Sequence, residues 1–110
     1  MSKKALIYNA LKRLELPLAY RDSNLSQLPR LNYSLVGNYS IRASGKRHTQ
    51  VSVYQVDYFS DIPIDVESDT LMAVTLALEN VGLHTSDWRE VHTIDEAADT
   101  SVYHYYIEVK

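Results

Sequence analysis

The stretch from Thr49 to Phe59, TQVSVYQVDYF, sets the tightest limit on what this chain can fold into. In an extended strand Val51 and Val53 fall on one side, and Tyr54, Val56 and Tyr58 on the other. Both faces are partly apolar, which suits a central strand better than an edge. Asp61, Pro63 and Asp65 end it. With 110 residues in all, one domain spanning 1–110 with one modest core is expected around this strand.

The rest of the chain supplies what such a strand requires. Ser2 is placed to cap a helix from Lys3 to about Leu14, with Ile7, Ala10, Leu11 and Leu14 on one stripe. Two early lysines suit a positive helix end poorly, so that end is expected to be exposed or paired. Pro17 stops the helix. Leu18 to Tyr20 then reads as a short strand and Asp22 to Pro29 as a loop. Leu31, Tyr33 and Leu35 alternate with Asn32 and Ser34, which predicts a half-buried strand. Gly37 to Arg47 reads as a loop. After the central strand, Asp65 or Ser68 can cap a second helix up to Asn80, with Gly82 as its left-handed stop. Leu71, Val74, Leu78 and Val81 mark its buried side, widened by Met72 and Leu76. A less regular strand is expected from Leu83 to Ile94, then an acidic turn at Asp95, Glu96 and Asp99. The last strand runs from Val102 to Val109, with Tyr103, Tyr105, Ile107 and Val109 on one face. The order is α-β-β-β-α-β-β. It predicts an α+β fold, two helices packed on an antiparallel or mixed sheet of four to five strands.

Composition excludes several classes. Hydrophobic residues make up 45% and charged residues 23%, which is too apolar for a disordered chain. No apolar run approaches the roughly 18 residues of a membrane span. The amphipathic start lacks the apolar core and cleavage site of a signal peptide, so a cytosolic chain is expected and the sequons at Asn24, Asn32 and Asn38 read as incidental. The absence of cysteine removes disulfides, thiolate nucleophiles and Cys-ligated metals. Net charge is −3, but residues 1–50 carry nine Lys/Arg against two acids, and residues 51–110 carry two against twelve. Neither half contains a low-complexity run, so the asymmetry reads as a polarised surface.

Reactive chemistry is sparse. His48, His84, His92 and His104 show no helical ligand spacing. His92 and His104 would approach on adjacent strands if the hairpin turned near Ala97, with Glu90 or Glu108 as a third ligand, but that set falls short of a zinc site. Around Gly45 the phosphate-loop signature fails at Ser40 and Arg47. No Gly-x-Ser-x-Gly elbow is present, and Asp57 with Asp61 reads as strand-end acids. The expectation is of a protein that is not an enzyme and holds no metal or cofactor. Nine tyrosines with Arg42, Lys46 and Arg47 leave open a small nucleic-acid-binding domain. Against that, the tyrosines alternate in strands and the second half of the chain is acidic.

The whole arrangement resembles the tail terminator proteins of long-tailed bacteriophages and prophages, also called tail-completion or head–tail joining proteins. The resemblance lies in a first helix running into an LP-x-x-Y turn, here Leu16 to Tyr20. It continues in a strand core Y-Q-[IV]-[DE]-x-[YFW], here Tyr54 to Phe59, and in the tyrosine-rich end Ser101 to Lys110. It covers the chain but is built of loose motifs, and neighbouring neck proteins are made alike. It implies a structural virion protein found in the tail or neck, after assembly in the host cytoplasm. Six copies would form a ring that caps the head-proximal end of the tail tube, stops its polymerisation and meets the head or neck connector. It implies no catalysis, no cofactor and no membrane contact. Arg42, Lys46, Arg47, His48, Asp57 and Tyr58 are the candidate contact residues toward a second copy, the tube protein, the connector or DNA in the lumen. At this level Asp57 is equally a hydrogen-bonded sheet acid, and the segment Asn38 to His48 is equally a plain hairpin tip.

Overall fold

Apolar stripes at helical spacing and alternating strands sort this chain into seven elements. They are α1 (Lys3–Lys12), β1 (Leu18–Tyr20), β2 (Arg30–Ala43), β3 (Lys46–Ser60), α2 (Asp69–Glu79), β4 (Arg89–Asp95) and β5 (Thr100–Val109). The computed structural model describes residues 2–21, 27–43, 46–95 and 100–110, with side chains outside 40–50 and 92–101. The acidic turn lies largely outside the described residues, as does most of the loop from Asp22. The fold is α+β, with one mixed five-stranded sheet in the order β1-β2-β3-β5-β4. β1 pairs with β2 in parallel and every other pair is antiparallel. β3 has a neighbour along each edge, the central place its two-sided pattern predicts.

Ser2 caps α1 by accepting from the Ala5 amide at 3.1 Å, and Ser68 caps α2 by accepting from Leu71 at 3.4 Å. Both early lysines are engaged. Lys3 Nζ donates to the Ser52 carbonyl at 2.8 Å, and Lys4 Nζ sits 3.8 Å from the centre of the Tyr20 ring. The end of α1 comes two residues before the predicted Leu14. The chain turns at Glu15, whose φ of 58° is left-handed, so the break precedes Pro17. Gly82 ends the turn after α2 at φ 88°, a conformation that favours glycine.

The core lies on one face of the sheet. Ile7, Ala10 and Leu11 of α1 and Leu71, Val74 and Leu78 of α2 pack with Leu31, Tyr33, Val56, Tyr58, Tyr105, Ile107 and Val109. Burying a large apolar side chain stabilises by roughly 1.5–3 kcal/mol, so this face carries most of the folding energy. Tyr105 is wholly buried, and its hydroxyl forms a reciprocal clasp with Ile64. It donates to the Ile64 carbonyl at 2.7 Å and accepts from the Ile64 amide at 2.9 Å. Met72 and Leu76, expected to widen the buried stripe of α2, instead lie about half exposed on its outer side. The α2 stripe is therefore the narrower one through Leu71, Val74 and Leu78.

Two expectations on strand extent are corrected. The segment Gly37 to Arg47 is not a loop, because β2 continues to Ala43 and β3 already begins at Lys46. Along that segment the backbones pair with each other, from Gly37↔Val53 to Ala43↔Lys46. Irregularities beside Val36 and His48 let the ladder twist as it leaves the sheet. The domain measures 55 × 29 × 25 Å, its length reflecting this projecting arm. The strand expected from Leu83 starts only at Arg89, since Leu83 to Trp88 is irregular apart from a bridge from Thr85 to Val109. Among the described residues no helix is long and apolar enough to cross a membrane.

Candidate functional site

Period-two alternation commits the other face of the sheet to whatever the core does not use. Among the described residues both helices pack on the core face and none covers the region formed there by β2, β3 and β5, where register aligns the residues in rows. Arg30, Phe59 and His104 form one row, and Asn32, Asp57 and Tyr106 the next. In the first row the His104 ring stacks on Phe59 at 4.4 Å and 17°, and the Arg30 guanidinium lies 4.4 Å from the same ring centre. Phe59 sits between the two in the register, and its ring is engaged by both within the chain.

The second row is polar and buried. Asp57 and Asn32 are each 8% exposed. Asp57 Oδ1 accepts from Gln55 Nε2 at 2.7 Å and meets His104 Nε2 at 2.6 Å. A carboxylate only accepts, so Nε2 carries the proton in this pair whatever the total charge of the ring. Asn32 Nδ2 donates to the Arg21 carbonyl at 2.8 Å. Two neighbouring atoms are left over: Asn32 Oδ1 and Arg30 Nε are buried and have no hydrogen-bond partner. Leaving such groups unpaired costs roughly 1–3 kcal/mol each. Asn32, Gln55, Asp57 and His104, though not Arg30, line a concavity of about 450 Å³ together with Arg21, Ser34, Leu35 and Phe59.

An aspartate holding a histidine is the orienting half of a hydrolytic triad. No serine or threonine hydroxyl is bonded to the His104 ring among the described residues, so the pair lacks a nucleophile. Nor, among the described residues, do three or more His, Asp or Glu side chains converge there as a metal site would require. His92 pairs with Tyr103 while His104 pairs with Val91. The two histidine positions are one residue out of step on adjacent strands, and the side chain of His92 lies outside the described residues.

The sequence-predicted contact residues are thus divided. Asp57 is a hydrogen-bonded sheet acid and also borders the concavity. Tyr58, one position on, belongs to the core at 4% exposure, tilted against Tyr105 at 6.3 Å, and is not placed for contact with a partner. Arg42, Lys46, Arg47 and His48 lie far along the arm, their side chains outside the described residues. There the backbone sets Arg42 opposite Arg47 and Lys46 opposite Ala43. Sequence reasoning missed Asn32, Gln55 and His104 as neighbours of Asp57. The spacing of Gln55 and Asp57 on one strand face was a usable signal. The partnership with His104, 47 residues away, had none. The chain matches no known family model and no curated protein sequence.

Proposed function

We propose that this protein is a structural component of a phage or prophage tail, a tail terminator. As a ring of six copies it caps the head-proximal end of the tail tube, stops tube growth and meets the head connector. One observation carries the reading: the β2–β3 arm leaves the body of the sheet with both outer edges unpaired among the described residues. Unpaired strand edges are places where another chain adds, and an isolated two-stranded ribbon is marginally stable by itself. Such an arm makes sense in a protein whose working form is an assembly. The polarised charge supports the same reading, because a ring needs two different patches that attract each other. The residues that carry the family resemblance run from Leu16 into β1, along β3 from Tyr54 to Phe59, and along β5 to Lys110. In this role the arm faces a second copy, the tube protein or DNA in the lumen.

Mass in solution tests this directly, measured by sedimentation for the chain alone and mixed with the tube protein. A discrete six-fold species in either case is the expected result. A monomer in both would overturn the proposal. If the monomer also bound duplex DNA with a log–log salt slope near about −2.7, for three phosphate contacts, a nucleic-acid-binding domain would take its place.

A further inference from the structure

We propose that the Asn32–Asp57 concavity is the seat for the basic arm tip of a second copy of this chain. The inference rests on the assembly reading above only in supposing that copies meet. The seat itself follows from unpaired chemistry. Asn32 Oδ1, on a residue that lines the concavity, is buried and lacks a donor. Beside it Asp57 carries a buried carboxylate whose bonded partners, Gln55 and His104, both act on Oδ1. Among the described residues no lysine or arginine forms an ion pair with that carboxylate, although Arg21 lines the same concavity. Buried charge is stable when paired.

The pattern selects among ligands. A phosphate would meet the Asp57 carboxylate, and among the described residues no three His, Asp or Glu side chains converge to hold a metal ion. A basic peptide segment supplies guanidinium or ammonium donors for both Asn32 and Asp57.

The arm tip is such a segment. Arg42 and Arg47 occupy directly opposed ladder positions, with Lys46 one step beyond and no acid between Asn38 and Gln50. Like charges directly opposed across a ladder are destabilising, so the tip gains by meeting a carboxylate. Its own concavity is out of reach. Nine residues of paired strand separate Gln55 from Lys46, roughly 30 Å at about 3.3 Å per residue. The occupant is therefore the tip of another copy, a head-to-tail contact that can repeat around a ring.

Complementary variants test the contact. Arg42→Glu with Arg47→Glu spoils the tip and leaves the seat intact, whereas Asp57→Asn spoils the seat and leaves the tip intact. Ser34→Arg fills the concavity without touching Asp57, which covers the case where Asp57→Asn fails to fold. Each variant alone should associate at least about 30-fold more weakly than the unaltered chain, as when one partner of a buried charge pair is removed. The decisive arm mixes ¹⁵N-labelled tip variant with unlabelled seat variant. One good contact then remains possible, and the side-chain amides of Asn32 and Gln55 and the His104 ring should shift. They should stay unmoved when the unlabelled partner is the tip variant. No shift at millimolar concentration would overturn the proposal, as would full assembly by Asp57→Asn and Ser34→Arg chains. A six-fold ring that persists in both seat variants sinks the seat but leaves the terminator reading standing. Shifts in the mixture, with no ring formed on the tube, do the reverse.

Discussion

Replacing Tyr105 by phenylalanine isolates the clasp that joins the β3–α2 connection to β5. The ring keeps its wholly buried place, so packing is retained, and the change removes two hydrogen bonds to Ile64, at 2.7 and 2.9 Å. A neutral hydrogen bond contributes about 1 kcal/mol net. The Ile64 amide and carbonyl are partly buried and lose their partner together, so the expected cost is about 2 kcal/mol. In urea, with an m-value near about 1.5 kcal/mol/M, the midpoint should fall by about 1.3 M at unchanged slope. In a thermal scan the fall should be roughly 10 °C. Low protein concentration keeps assembly from adding to the measured stability. Tyr8→Phe, on a ring 46% exposed, should stay within about 0.5 kcal/mol of the unaltered chain. If Tyr105→Phe also stayed within that margin, the Ile64 connection would not depend on this clasp.

Leu78→Ala should cost about 2–5 kcal/mol in the same urea assay, because Leu78 is wholly buried between α2 and the sheet. Met72→Ala, on the outer side of the same helix, should cost less than about 0.5 kcal/mol, and equal losses would contradict the narrow stripe. Burial raises the Tyr33, Tyr54 and Tyr58 hydroxyls above the ordinary value of 10.0. Their contribution to stability is therefore complete below pH 10 and is lost as pH rises through their folded values. Urea midpoints taken from pH 8 to 11 should be level, then fall beyond pH 10, with a shallower fall in Tyr58→Phe. A midpoint rising beyond pH 10 would contradict the burial.

The element order was legible because it depends on local signals. Ser2, Ser68 and Gly82 act within a turn or two of themselves, and the stripe Ile7, Ala10 and Leu11 is a property of one helix. Two-sided apolarity also marked β3 as central. The arm was read as a loop because Gly37, Ser40, Ser44 and Gly45 with three cations have little strand preference. There the ladder holds through backbone pairing, helped by Asn38 Nδ2 donating to Ser52 Oγ at 2.7 Å. A Cβ at Gly37 would stand 2.9 Å from the Tyr39 hydroxyl, the far end of an exposed side chain that can move aside. The concavity was illegible for another reason. Asn32, Asp57 and His104 come together through pairings across β2, β3 and β5, and no periodicity along one strand encodes which residue of another will lie beside it.

The arm continues the central strand, and this gives it a mechanical character. Ladder bonds run perpendicular to the strands they join. A pull along the arm from its tip loads β2 and β3 together and is resisted in shear by the rungs that tie β3 to β5 and β2 to β1. A sideways pull meets no third strand along the arm among the described residues and bends the ribbon about its root. The arm is therefore stiff against tension and compliant against bending. Tension taken at the tip reaches the centre of the domain along one uninterrupted strand.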